Sequence, residues 1–461
     1  MRWLRIVVAV LLMALVGWPA GPARAPAAES HPAGATAPGD LQVGAAAVDL
    51  QADDSMPIAG SIHAGKAHGQ EGQLRATAVV LQRPGQPPLA IVSCDVLMFS
   101  GDLVDPVAAE IEKTVGIPQG HVLIHATHTH HAPSTMRVHA YGPCETFCKR
   151  LQQGIVAAVT QARKRLAPSR FAFKLGQETT VGMNSRLLLG DGTIYWIGPR
   201  DDAVGPTGPF DPDLPVLVFR HPQGKLQALL FGHSTHSIGT LKGGVRSPSF
   251  YGMAAQALEA ELGGTVAFLE GASGSTHAYN LSAQEAFERI RKAVRTAFDQ
   301  AEPQPVDRLV AIKQPFRFRV RHFDEAAEER AVTTYCAKRA PGAAESIAAV
   351  FRQMRKELAP LQGQERTTWL QVMRIGPVAI VGVPAELFTS LGLEIKRRSP
   401  MKYTVVAELS NDWIGYLPDL DGHKRGGYQV WTGLHSYAEP GTGERLVEEA
   451  VRLLQQIAAG P

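Results

Sequence analysis

The chain has little of anything that would let one feature dominate it. Among 461 residues there are four cysteines, 7% aromatic and 19% charged residues. That is too few cysteines for a disulfide-built miniprotein, and too balanced a composition for a disordered or collagen-like chain. The 46 Lys plus Arg barely exceed 43 Asp plus Glu, a net charge of +3. Arg2, Arg5 and Arg24 carry that excess in an N-terminal stretch without an acid, so removing it leaves the chain neutral and without a basic footprint for nucleic acid. No G-x-S-x-G follows an apolar run, because Gly271-Ala-Ser273-Gly274 lacks the final glycine, which excludes a serine-hydrolase elbow. Phosphate-cradling glycine loops are missing as well, and Gly263-Gly264 reads as a helix cap.

Runs long enough to span a bilayer are also lacking: Ile6 to Val16 falls well short of the roughly 20 residues required. With the basic start at Arg2 and Arg5 and the Ala23-Arg24-Ala25 ending, residues 1–25 read as an export signal, which predicts a secreted or periplasmic protein. Residues 26–40, rich in Pro, Ala and Gly, read as a flexible leader, and residues 41–461 as one large domain. An oxidising compartment permits disulfides. The candidates are Cys144, Cys148 and Cys336, with the pairing left open, since Cys94 sits inside the apolar run Ala90-Ile-Val-Ser-Cys94.

Apolar runs 76–81 and 89–93 flank Pro84-Gly85, and runs 214–220 and 226–231 flank Gly224, which predicts two antiparallel hairpins. Helical periodicity appears over 104–115, 147–166, 253–262, 286–298, 344–358 and 446–457. The irregular alternation predicts an α/β (mixed α+β) domain of layered mixed sheets flanked by helices, with a helical subregion near 324–362. No internal repeat is visible.

What the chain has in excess is histidine. Six of its 16 fall between His121 and His139, in HVLIHATHTHHAPSTMRVH. A strand over His121–His125 would leave His128 and His130, two apart, pointing together, and His131 pointing away. Converging imidazoles suit a borderline metal such as zinc, whereas a polar surface loop is the plainer reading. Further ligand-type residues follow other apolar runs: His233 after Leu229–Phe231, in the cluster His233-Ser-Thr-His236, and Glu386 after Val378–Val381, where it is also placed to open a helix. Such strands meeting at one sheet edge would build a single site.

These stretches resemble the neutral/alkaline, non-lysosomal ceramidase family. VLIHATHTHHAP resembles its ATHTHSGP motif, Phe231-Gly-His233-Ser-Thr235 its second histidine motif, and Phe268–Gly274 its strand and glycine loop. Val383-Pro-Ala-Glu386-Leu-Phe388 resembles its PGEF or PAELF segment, and Asn411–Tyr416 its N-x-Y-x-x-Y segment, all in the family's order over roughly 41–460. The resemblance implies a zinc ion held by His128, His233, Glu386 and Tyr416, and a metal-activated water that attacks an amide carbonyl. It further implies that His130 touches substrate or shuttles a proton, and that Arg186, in Gly182-Met-Asn184-Ser-Arg186, steadies substrate oxygens. A lipid-like amide is then the expected partner, with transient contact to a membrane surface and no nucleic acid.

The chain departs from the family at the loop that carries its serine. Here the text is Gly274-Ser275-Thr276-His277, with His277 at the serine's place, so Ser275, Thr276 and His277 all stand as candidate catalytic groups. His131-Ala132 replaces Ser-Gly, Trp413 replaces the first tyrosine of the last motif, and the resemblance ends before the immunoglobulin-like domain of longer members. Two alternatives to a ceramide-like substrate follow: a more polar amide or ester at the same zinc, or a non-catalytic zinc-binding envelope protein.

Overall fold

The computed structural model describes residues 41–459, so the expected signal (1–25) and leader (26–40) lie outside the described residues. The longer strands are β1 Gln42–Asp49, β2 Arg75–Arg83, β3 Gln86–Cys94, β4 Val122–Ala126, β5 Arg170–Gln177, β6 Asp213–Arg220, β7 Leu226–His233, β8 Thr265–Glu270, β9 Leu309–Arg319, β10 Glu365–Ile375, β11 Val378–Gly382 and β12 Tyr403–Ala407. The helices are α1 Gly101–Val115, α2 Glu145–Lys164, α3 Ser249–Leu262, α4 Ala283–Asp299, α5 Glu325–Arg339, α6 Ala344–Leu358, α7 Thr389–Arg398, α8 Leu420–Arg425 and α9 Thr442–Ala459.

These elements form one unit repeated three times. Strands β1, β2 and β3 pair antiparallel, α1 crosses over, β4 returns parallel to β3, and α2 follows. The series β5, β6, β7, α3, β8, α4 repeats that order. So does β9, β10, β11, α7, β12, α9, with the α5–α6 hairpin inserted after β9. Each crossover is the helix a parallel neighbour demands. The expected hairpins are the β2–β3 and β6–β7 pairs, and Gly85 (φ 72°) makes the left-handed turn of the first.

The fold is the expected mixed α/β one of mixed sheets flanked by helices, and the sheets share a central core. Period-2 alternation sends Leu89 and Ile91 of β3, Ala228 and Leu230 of β7, and Val378 and Ile380 of β11 into one shared central cluster. Their neighbours point outward onto separate helical layers: Ala90 and Val92 under α1 and α2, Leu229 and Phe231 under α3 and α4, Ala379 and Val381 under α7 and α9. The α4 helix shows how sequence sets this up. A capping box between Ser282 and Glu285 starts it, and Ala286, Ile290, Val294 and Ala297 make one buried stripe. Gly263 (φ 70°) ends α3, as its sequence context predicts.

The four cysteines are free, against the expected pairing among Cys144, Cys148 and Cys336. Cys144 caps α2, Cys148 one turn on contacts the Thr135 carbonyl at 3.6 Å, and Cys336 is buried on α5. Among the described residues no helix is long and apolar enough to cross a membrane.

Candidate metal centre

The C-terminal ends of the parallel pairs β3/β4, β7/β8 and β11/β12 meet, and the segments leaving them build the site, as in other open α/β arrangements. Backbone bonds sew the seams: Asn411 N–H to Ile124 O (2.7 Å), Ala126 N–H to Leu409 O (3.1 Å), and Glu408 N–H to Glu270 O (3.0 Å). Three non-glycine residues here, His128 (φ 60°), Leu409 (56°) and Asn411 (64°), hold left-handed backbone. Such strain persists only where surroundings fix it.

His128 and His130 follow β4, His236 follows β7, Glu386 follows β11, and Tyr416 follows β12. His128, His236 and Glu386 are buried, and His130 is half-buried. His128 Nε2 lies 3.4 Å and His236 Nε2 3.2 Å from Glu386 Oε2. His130 Nε2 lies 3.3 Å from His128 Nε2, and the Tyr416 hydroxyl 3.1 Å from His236 Nε2. Rather than opening a helix, Glu386 sits on a two-residue strand paired with Tyr416, and α7 begins at Thr389.

The tautomers follow from the partners. His128 Nδ1 faces Leu97 O, His130 Nδ1 faces Gly60 O, and His236 Nδ1 faces Ser273 O, each at 2.9 Å. A carbonyl only accepts, so each Nδ1 carries the hydrogen and each Nε2 presents a lone pair to the cluster. Burial, with the neighbouring histidines, drives the His130 and His236 imidazoles below their usual range, which keeps them neutral. Three nitrogen lone pairs within 4.8 Å, beside a carboxylate oxygen without a hydrogen-bond donor, repel one another unless a cation stands between them. This donor set fits zinc, with the outer ring nitrogens tied to carbonyls as metal-ligating histidines require. Gly60 must be glycine: its φ is 108°, and a Cβ there would meet the His130 ring at 2.7 Å.

His233, the expected ligand, stands outside this cluster. Its Nδ1 takes the Tyr251 hydroxyl at 2.5 Å and its Nε2 donates to Glu178 O at 3.1 Å, so both ring nitrogens are committed. His131 points away, accepting from Gly239 N–H. In the Gly274–His277 loop, Ser275 exchanges hydrogen bonds with Thr389, and Thr276 Oγ1 donates to Ser234 O at 2.7 Å. His277 alone faces the centre, its ring stacked on His236 at 4.3 Å and on Tyr279 at 5.0 Å, without a hydrogen-bond partner among the described residues.

Arg186 is only 2% exposed. It donates to Gln429 Oε1 (2.9 Å), Gly422 O (3.2 Å) and Gly426 O (2.6 Å), and so fastens the loop that carries Tyr428. Tyr428 itself stands 5.8 Å from the Tyr416 ring, stacks on Trp196 at 4.5 Å and meets His139 Nε2 at 3.1 Å. Beneath the centre, Glu408 accepts from Ser273 Oγ (2.6 Å) and Leu387 N–H (2.7 Å), and burial raises both its carboxyl and that of Glu270. Sequence reasoning gave the ligand role in the His233-Ser-Thr-His236 cluster to His233, noted Trp413 only as a replaced tyrosine, and passed over Tyr428 and this carboxyl pair. Only His236 carried a signal, as the second histidine of His233-Ser-Thr-His236.

The sequence matches no protein-family model and no curated protein. Its structure is similar to solved ones. Neutral ceramidase from Pseudomonas aeruginosa aligns with a TM-score of 0.71 at 19% identity, over 90% of this chain and 75% of that one. A ceramidase complexed with C2 aligns with a TM-score of 0.72 at 18% identity, over 91% and 76%. The expected kinship is thus borne out in architecture: this chain has the fold of the neutral ceramidases.

Proposed function

We propose that the protein is an exported, zinc-dependent amide hydrolase that cleaves the linear N-acyl amide of a ceramide-like lipid into a fatty acid and a sphingoid base. The observation that carries this reading is the convergence of the His128, His130 and His236 Nε2 lone pairs with Glu386 Oε2. The ceramidase fold supports the amide class.

His128, His130, His236 and Glu386 would hold the ion, with the Tyr416 hydroxyl beside His236. Bound zinc supplies Lewis acidity toward the acyl carbonyl and lowers the pKa of water. Because both His130 nitrogens are engaged, the proton shuttle passes to His277, whose ring nitrogens have no hydrogen-bond partner among the described residues. Its imidazole takes the proton as the water oxygen bonds to the acyl carbon, and delivers it to the amine nitrogen as the C–N bond breaks. Ser275 and Thr276 shape the loop, and Trp196 with Tyr428 offers an apolar wall for the lipid. An imidazole in place of the family's serine favours a second reading, a more polar amide or ester at the same centre.

The test is release of fatty acid from a fluorescent short-chain ceramide by the purified protein, with and without chelation and zinc return, beside His128→Ala. Zinc-restorable, His128-dependent release is expected. No release from zinc-loaded protein would remove ceramide-like lipids and leave the second reading, to be tried with polar amides and esters.

A further inference from the structure

Glu386 has two oxygens, and the fold treats them differently. Oε1 accepts the indole N–H of Trp413 at 3.0 Å, while Oε2 faces the His128 and His236 nitrogens and has no hydrogen-bond donor. Trp413 is held firmly: it is 4% exposed, packed in the core under α1 and α2. Its backbone N–H donates to Asp412 Oδ1 at 2.8 Å, an oxygen that also takes the Gly101 N–H at the start of α1 (2.6 Å). Asp412 Oδ2 takes the Thr368 hydroxyl at 2.7 Å. A Trp side chain donates and never accepts, and it neither ionises nor binds zinc.

We infer that Trp413 is a positioning residue that occupies Glu386 Oε1 and so makes Glu386 present a single oxygen, Oε2, to the metal. This rests on the proposed zinc centre. A tyrosine at 413 would bring a hydroxyl that both accepts and ionises, whereas indole offers only the fixed donor. Without that donor the carboxylate is free to rotate or to offer both oxygens.

Two substitutions separate the donor from the bulk. Trp413→Phe keeps an aromatic ring and removes the N–H. Trp413→His removes more volume but keeps an N–H at the same position in a five-membered ring. Zinc affinity is read by chelator competition and the shell by cobalt(II) absorption, with apo-protein circular dichroism as the fold control. The Phe variant is expected to bind zinc 10- to 100-fold more weakly, with weaker cobalt bands as the shell expands, while the His variant binds more tightly than Phe and keeps the wild-type cobalt spectrum. Wild-type affinity in the Phe variant, or tighter binding by Phe than by His, would overturn the inference alone, since that order follows packing. Failure of the wild-type protein to bind zinc would instead overturn the metal reading, and this inference with it.

Discussion

His236 Nε2 lies 3.2 Å from Glu386 Oε2, although the two residues leave different sheets, after β7 and after β11. Each follows the third strand of its unit, the strand that pairs parallel with the fourth. The repeated topology therefore delivers an imidazole and a carboxylate to one point from equivalent places in the fold. Gly274 lets the approach happen, because a Cβ there would stand 2.5 Å from Glu386 O.

His236→Ala is accordingly expected to abolish zinc retention, and His233→Ala to keep it at some cost in stability. His233 accepts the Tyr251 hydroxyl and donates to Glu178 O, so its loss leaves the buried Tyr251 hydroxyl unpaired, at about 1–3 kcal/mol, and frees the half-buried Glu178 carbonyl. Metal analysis after dialysis, together with thermal unfolding, decides the matter. Loss of zinc from the His233 variant alone would restore the ligand set that the sequence motif implies.

Elements with strong periodicity were legible: the α4 stripe from Ala286 to Ala297 and the β2–β3 hairpin around Gly85 stand where their residues place them. His128, His130 and Glu386 stood out because each follows an apolar strand run, Tyr416 only through the family's motif, and the structure brings these four side chains together. The three-fold repeat was not, because it resides in hydrogen-bond topology and imposes only apolar alternation, which any strand shows. Between His233 and His236 the difference is one of register past a strand end, where Ser234-Thr235 turn the chain and period 2 no longer applies. Arg186 was singled out from the family's Asn-Arg stretch, and its burial among Gln429 and two backbone carbonyls is a placement that residue type alone does not reveal.

His277→Ala is expected to fold and to hold zinc normally while kcat falls 10²- to 10⁴-fold, the usual worth of a proton-transferring side chain. Ser275→Ala and Thr276→Val should instead lower thermal stability and leave kcat within a few-fold, since both hydroxyls are committed inside the chain. The reverse pattern, with Ser275 carrying kcat, would relocate the chemistry to the hydroxyl.

Arg186→Ala should act through stability. It strips donors from Gln429 Oε1, Gly422 O and Gly426 O, an expected loss of about 3 kcal/mol. With Tyr428 on the loosened loop, KM is expected to rise while zinc content holds. A direct substrate contact would show the opposite signature, unchanged unfolding with collapsed kcat/KM, and denaturant melts beside steady-state kinetics distinguish the two.

Asp95 gives the protein a pH-dependent stability of defined sign. Burial raises its carboxyl to about 7, against the pull of Arg75 nearby and bonds from Arg75 N–H (3.0 Å) and the Thr127 hydroxyl (3.2 Å). Unfolded, the group titrates near 3.9, about its ordinary value. Between those two pH values the folded chain keeps a proton that the unfolded chain releases. The contribution is therefore full well below pH 4 and is lost as pH rises toward 7, with a slope of up to about 1.4 kcal/mol per pH unit. Glu270 and Glu408, also raised by burial, add slope of the same sign. Asp95→Asn should thus flatten the fall in stability between pH 4.5 and 7 by about one proton's worth without removing it, as measured by urea unfolding at each pH. An unchanged slope would mean that Asp95 is already ionised in the fold, with Arg75 outweighing its burial.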